Sequence, residues 1–170
     1  MDFNFQWIFT SLISIGTLYL GRLWGLHDRK IEHDKKVLKK ILEVLPSNGS
    51  IQFIREFDFG GSFHIEKLYD IDNFVSISKR PEYTFLNKDV EENRLSLLTS
   101  INKFSSFVGL NTFPINKGEP WVNKIIPSHF LDDPNDYHQV HNEINKLADN
   151  VSCCFDNLIS SANKKGIYSL

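Results

Sequence analysis

The chain has 170 residues, about the length of one domain, and carries 19 basic and 21 acidic side chains for a formal net charge of −2. So nearly neutral a total excludes a protein built mainly to coat nucleic acid. Two cysteines are too few for a disulfide-dense scaffold or a cysteine-rich zinc module. The charge is uneven, because Asp2 is the one charged side chain within residues 1–21.

The uncharged segment 3–21 is the first predicted element. As a helix it would be about 28 Å long, close to the ~30 Å thickness of the hydrocarbon core of a bilayer. Trp7 lies near one end and Tyr19 near the other, where aromatic rings favour the membrane interface. We therefore predict a transmembrane helix within an anchor at residues 1–24. The alternative is an amphipathic first helix of a soluble bundle.

Small and polar side chains of this segment are spaced three or four residues apart, which places them on one helical face. They are Gln6, Thr10, Ser14, Thr17 and Gly21. In lipid, such a face is expected to contact protein or water rather than acyl chains. It predicts a homo-oligomer, with a pore lined by this face as one form. The alternative is a plain anchor whose hydroxyl groups bond their own backbone.

A group of basic residues follows the segment and forms a predicted basic collar: Arg22, Arg29, Lys30, Lys35 and Lys36. Positive residues are retained on the cytoplasmic side of a membrane. The collar therefore predicts a single-pass protein of the cell inner membrane, with the N-terminus outside and a cytosolic domain at residues 25–170. Anionic lipid headgroups are the expected partner of these charges, and direct binding of nucleic acid is not expected.

The remainder of the chain has mostly helical periodicity. Residues 111–134 contain four of the six prolines and predict a long irregular loop or a loose hairpin. The predicted fold is all-α, with the transmembrane helix continuing into a cytosolic bundle of about four to five helices. The predicted helices cover residues 3–45, a short stretch that Ser50 caps, residues 65–77, residues 87–110 with Asn87 or Asp89 as the cap, and residues 135–163.

The loop after the short helix carries the clearest candidate for recognition. Its members are Arg55, Asp58, Gly60 and Gly61, which we call the recognition loop. The alternative is a glycine turn braced by an ion pair between Arg55 and Asp58.

His138 and His141, three residues apart on the last predicted helix, are candidates for metal ligands. Nothing in the sequence supplies further ligands that would converge on them. No metal and no cofactor is predicted.

Arg22 and His27 have the Arg-x4-His spacing of the HEPN ribonucleases, which this pair resembles. In that family the two residues organise RNA cleavage across a dimer. The motif there opens a late helix of the bundle, whereas the last predicted helix here contains no arginine. The sequence therefore favours a non-enzymatic protein with no catalytic residues. Ribonuclease activity through Arg22 and His27 is the alternative.

Several segments together resemble small single-pass bacterial proteins of unassigned role. They are His33 to Lys36, Leu45-Pro46, Phe53 to Phe63, Asn111 to Pro114 and Leu147 to Val151. The overall plan is similar to the membrane accessory proteins of type VI-B CRISPR systems, which combine a membrane span with a divergent HEPN-like helical body. The resemblance implies a pore that strengthens RNA-targeting immunity, with an RNA-guided effector as partner.

The expected function follows from these observations together. It is a membrane-anchored, self-assembling accessory protein of antiviral defence that acts by pore formation or membrane perturbation. One alternative is a membrane-tethered HEPN-like ribonuclease. Another is a non-enzymatic scaffold that recruits a cytosolic partner through the loops at 58–63 and 111–134.

Overall fold

The structure, a computed structural model, describes residue 25 and residues 27–115, 122–125 and 134–168. Most of this part is helical, as the all-α prediction requires. Its helices are α1 (27–44), α2 (Ser50–Glu56), α3 (Tyr69–Ile77), α4 (Lys88–Asn111) and α5 (Pro134–Lys164). Two 3-10 turns lie at Ile65–Leu68 and Pro81–Tyr83. The first of them replaces the start of the helix expected over 65–77, so the α-helix itself begins at Tyr69.

The two longest helices, α4 and α5, form the centre of the fold. They run antiparallel, because Ser100 meets Asn150 while Asp89 meets Lys165. The apolar residues on the inner face of α4 are all buried: Val90, Leu97, Ile101, Phe104 and Val108. Removing these side chains from water supplies the main stabilisation of the fold.

The start of α4 is capped as the sequence predicts. The Asn87 side-chain oxygen accepts hydrogen bonds from the backbone N–H groups of Asp89 and Val90 at 3.1 and 3.3 Å. These N–H groups have no partner within the helix, so the cap stabilises α4 by about 1 kcal/mol. Of the two predicted caps, Asn87 is therefore the one used.

The starts of α2 and α3 cap each other, which differs from the prediction that Ser50 caps its own helix. The Asp70 carboxylate accepts from the Ser50 N–H at 2.9 Å, and the Ser50 hydroxyl accepts from the Asp70 N–H at 3.2 Å. Ser50 is the first residue of α2, after Gly49 at the cap position. The partner that satisfies its N–H therefore comes from another helix.

A buried carboxylate joins α1 to the start of α4. Asp34 is 1% exposed, and its two oxygens accept from the N–H groups of Leu86 and Asn87 at 2.7 and 3.0 Å. A buried charge is costly unless hydrogen bonds compensate it, and here both oxygens are used. The contact sets the position of α1 on the body of the protein.

A small antiparallel sheet joins the loops at one end of the helices. Its strands are β1 (Phe63–His64), β2 (Phe113–Pro114) and β3 (Val122–Lys124), in the order β1-β3-β2. Pro114 lies on an edge strand, where its missing N–H is tolerated. The pairing of β2 with β3 supports the hairpin alternative for 111–134 in the residues described.

The predicted membrane localisation requires correction. Among the residues described, no helix is both long enough and apolar enough to cross a bilayer. The helix α4 would have sufficient length at about 36 Å, but charged residues such as Asp89, Glu91 and Arg94 interrupt it. This finding counts against the predicted single-pass inner-membrane protein, and we do not retain that prediction. The predicted span at 3–21 and its polar face lie outside the described residues.

Candidate functional site

A cluster of phenylalanine rings holds the recognition loop on the core. Phe59 is fully buried and meets the rings of Phe53, Phe57, Phe63 and Phe104 with centroid distances of 5.2–5.8 Å. Each contact is edge-to-face, the geometry that aromatic quadrupoles favour. The side chain between Asp58 and Gly60 is thus inserted into the core, while its two neighbours stay at the surface.

Three side chains of α5 hold the loop from the other side. Tyr137, His141 and Asn145 are spaced four residues apart and so share one face of the helix. The Tyr137 hydroxyl donates to the Gly60 carbonyl at 3.2 Å, and the Asn145 amide donates to Asp58 Oδ1 at 2.9 Å. His141 Nε2 also contacts Asp58 Oδ1. The loop is therefore fixed at both its carboxylate and its backbone.

The Asp58 carboxylate combines exposure with strong local hydrogen bonding. Its side chain is 72% exposed, and the Gly60 N–H donates to Oδ1 at 3.0 Å. Hydrogen bonds from Gly60, His141 and Asn145 hold the pKa of this carboxyl well below its usual range. All three bonds reach Oδ1, and no described residue bonds Oδ2.

Gly60 lies in close contact with the His141 ring, and its φ is not positive. A Cβ atom at this position would lie 2.8 Å from His141 Nε2. A larger residue would therefore force the His141 ring to shift from its place beside Asp58. The turn is closed by the Gly61 N–H, which donates to the Asp58 carbonyl at 3.0 Å.

The structure corrects the predicted partner of Arg55. Its guanidinium pairs with Asp156 of α5 at 2.7 Å, rather than with Asp58. Both side chains are substantially exposed, so this ion pair contributes little to stability. Arg55 therefore connects α2 to α5, and the turn is braced by α5 instead.

The other predicted site residues are dispersed or lie outside the described residues. Arg22 belongs to the latter, so the structure does not place it against His27, which is exposed on α1. The collar residues on α1 are exposed, except Lys35, which is half-buried. His138 is exposed, and no metal-binding group of three or more His, Cys, Asp or Glu side chains occurs in the described part of the chain.

Sequence reasoning missed Tyr137 and Asn145 as partners of the loop. A signal was present, because Tyr137, His141 and Asn145 repeat at helical spacing. The spacing shows which face of α5 carries hydrogen-bonding groups, but not which loop they meet.

Comparisons with protein-family models, curated proteins and solved structures find no match to this chain.

Proposed function

We propose that this chain is a non-enzymatic accessory protein that binds a partner protein through the recognition loop. The observation that carries the proposal is the geometry of Asp58, whose Oδ1 accepts the hydrogen bonds from Gly60, His141 and Asn145 while no described residue bonds Oδ2. A charged acceptor already held in position loses little conformational freedom on binding. It suits an arginine or lysine of the partner.

The resemblance to type VI-B accessory proteins supplies a partner to test. In that setting the recognition loop would bind the RNA-guided effector of an antiviral defence system. The pore or membrane-perturbing action expected from the sequence depended on the membrane localisation, so it is not part of this proposal. Self-association remains a prediction, because its residues lie outside those described.

The test uses the Asp58→Asn variant of the full chain. An asparagine keeps one oxygen for the hydrogen bonds that hold the loop, but replaces the outward oxygen with an amide that donates. A charge-assisted hydrogen bond contributes about 1.5–3 kcal/mol, so we expect at least tenfold weaker binding. The measurement is biolayer interferometry with a purified type VI-B effector and its guide RNA.

Glu92→Gln provides the matched control, because Glu92 is an exposed acid on α4, away from the loop. This variant should bind as the unmodified chain does. The proposal is wrong if the unmodified chain does not bind the effector, or if Asp58→Asn binds it equally well.

A ribonuclease remains the second candidate, and one observation favours it. His141 forms a partly exposed imidazole–carboxylate pair with Asp58, an arrangement that general bases use. Against it, Asp58 already occupies Nε2, so Nδ1 is the one ring nitrogen left to accept a proton. We expect single-stranded RNA to remain intact after incubation with the purified chain. Cleavage that Arg22→Ala or His141→Gln abolishes would favour the ribonuclease instead.

A further inference from the structure

The hydrogen bonds on Asp58 Oδ1 already use the full capacity of this oxygen. The Gly60 N–H donates to it at 3.0 Å, the Asn145 amide donates at 2.9 Å, and His141 Nε2 is the third contact. Because a carboxylate oxygen can only accept, the histidine nitrogen that meets it carries a proton. Three donors exceed the two lone pairs of one oxygen. A donor from a partner molecule would therefore have to displace one of them.

Each of these three donors has a second contact that keeps it in place. Asn145 Oδ1 accepts from the Phe59 N–H at 3.0 Å, and the Gly60 carbonyl accepts from the Tyr137 hydroxyl at 3.2 Å. The His141 ring stacks on the Tyr137 ring with a centroid distance of 6.0 Å. Displacing any donor from Oδ1 would disturb this second contact as well, so Oδ1 stays occupied.

The second oxygen of Asp58 is the one that a partner can reach. No described residue bonds Oδ2, and the side chain is 72% exposed. A half-turn of the carboxylate exchanges its two oxygens and restores the same arrangement, with one oxygen occupied and the other open. The recognition loop therefore offers a partner a single acceptor atom rather than a pair.

A single acceptor distinguishes between the two cationic side chains of proteins. Arginine owes its advantage on carboxylates to a planar fork that bonds both oxygens in parallel. The ammonium group of lysine is a compact charge that needs only one oxygen. It is more strongly hydrated than a guanidinium, but at so exposed a site it keeps most of its water. The cost of removing that water therefore stays small.

We propose that the recognition loop binds a lysine of its partner in preference to an arginine. This inference rests on the proposed function and names the side chain that Asp58 binds. The ammonium group donates one hydrogen bond to Oδ2 and leaves its other protons in water. An arginine in the same place makes only one of its two parallel bonds, and its charge is spread away from the oxygen.

The test is an NMR titration of the full chain, followed at the side-chain carboxyl carbons of Asp58 and Glu92. The probes are the N-acetyl methylamides of lysine and arginine, used at neutral pH and low salt because exposed ion pairs are weak and screened. We expect the lysine probe to bind Asp58 at least twofold more tightly than the arginine probe. The same lysine probe acetylated on Nζ has lost its charge and should not bind.

Glu92 is the matched reference within the same molecule. It is exposed, and no described residue bonds its carboxylate, so both oxygens are open to a guanidinium fork. At Glu92 the arginine probe should bind at least as tightly as the lysine probe. The Asp58→Asn variant should also lose the shift that the lysine probe causes at the Gly61 amide, because that shift depends on the charge of residue 58.

The outcomes separate this inference from the proposed function. An arginine probe that binds Asp58 as tightly as the lysine probe would overturn the inference and leave the proposed function standing. The same lysine preference at Glu92 would also overturn it, because the preference would then not come from the occupied Oδ1. If neither probe shifts Asp58, the loop does not recognise a cationic side chain, and the charge-based binding in the proposed function fails with it.

Discussion

The residue with the most unusual environment is Asp58, which keeps its charge in place without being buried. The sequence pointed to Asp58 and Gly60, but it suggested Arg55 as the partner because Arg55 is three positions away. The actual partners, His141 and Asn145, lie 83 and 87 positions further along the chain. Contacts at such separations depend on how the helices pack, which spacing within one segment does not reveal.

The lowered pKa of Asp58 predicts a pH dependence of stability. A carboxyl whose pKa falls on folding contributes stability above its unfolded pKa of about 4, and loses that contribution as pH falls through the folded pKa. The unmodified chain should therefore be more stable than Asp58→Asn at pH 7, and the difference should shrink below about pH 4. Urea unfolding across this range measures it.

The control for this experiment is Glu92→Gln, whose difference from the unmodified chain should stay near zero at each pH. A stability advantage over Asp58→Asn that grows as the pH falls would contradict the assignment.

At the scale of secondary-structure elements, local signals predicted helix ends better than strands. The stop after Leu45 and the Asn87 cap agree with the structure because proline, glycine and asparagine act on their own backbone. The strands β1 and β2 have two residues each, too short for an alternating pattern to be recognised. They exist because β3 pairs with both of them.

Two glycines should respond to alanine in opposite ways, because Gly49 lies beside the reciprocal cap between α2 and α3 and Gly109 lies in open space on α4. A Cβ at Gly49 would collide with the Asp70 carboxylate that bonds the Ser50 N–H, so Gly49→Ala should lower the free energy of unfolding by about 1–2 kcal/mol. Gly109 lies in α4 with nothing within 4 Å of the added Cβ. There Gly109→Ala should raise that energy by about 0.5–1 kcal/mol.

Chemical denaturation of both variants, measured side by side, checks the pair. Equal effects of the two substitutions would show that the α2–α3 cap does not contribute to stability.

For the whole molecule, α5 is the element on which the other parts converge. It meets the recognition loop near Asn145, α4 at Asn150 and α2 at Asp156. The amphipathic pattern of α5 was visible in the sequence, and so was its length. Its contacts were not, because several arrangements of the same apolar faces bury similar areas of surface.

Phe59 connects the recognition loop to this common core, and its removal should affect the whole fold. Phe59→Ala leaves a cavity among four aromatic rings and should lower the free energy of unfolding by about 3–5 kcal/mol. Leu110→Ala is the control, because Leu110 is 76% exposed and should change it by less than about 0.5 kcal/mol. Urea unfolding followed by circular dichroism measures both. A small loss for Phe59→Ala would mean that the loop is attached independently of the core.

The buried Asp34 has a geometric consequence for α1. Each residue turns an α-helix by about 100°, so a shift of α1 by one position would rotate this carboxylate away from the N–H groups of Leu86 and Asn87. Only one rotation of α1 about its axis therefore keeps both bonds. The two hydrogen bonds therefore fix both the direction of α1 and the side that it turns toward the start of α4.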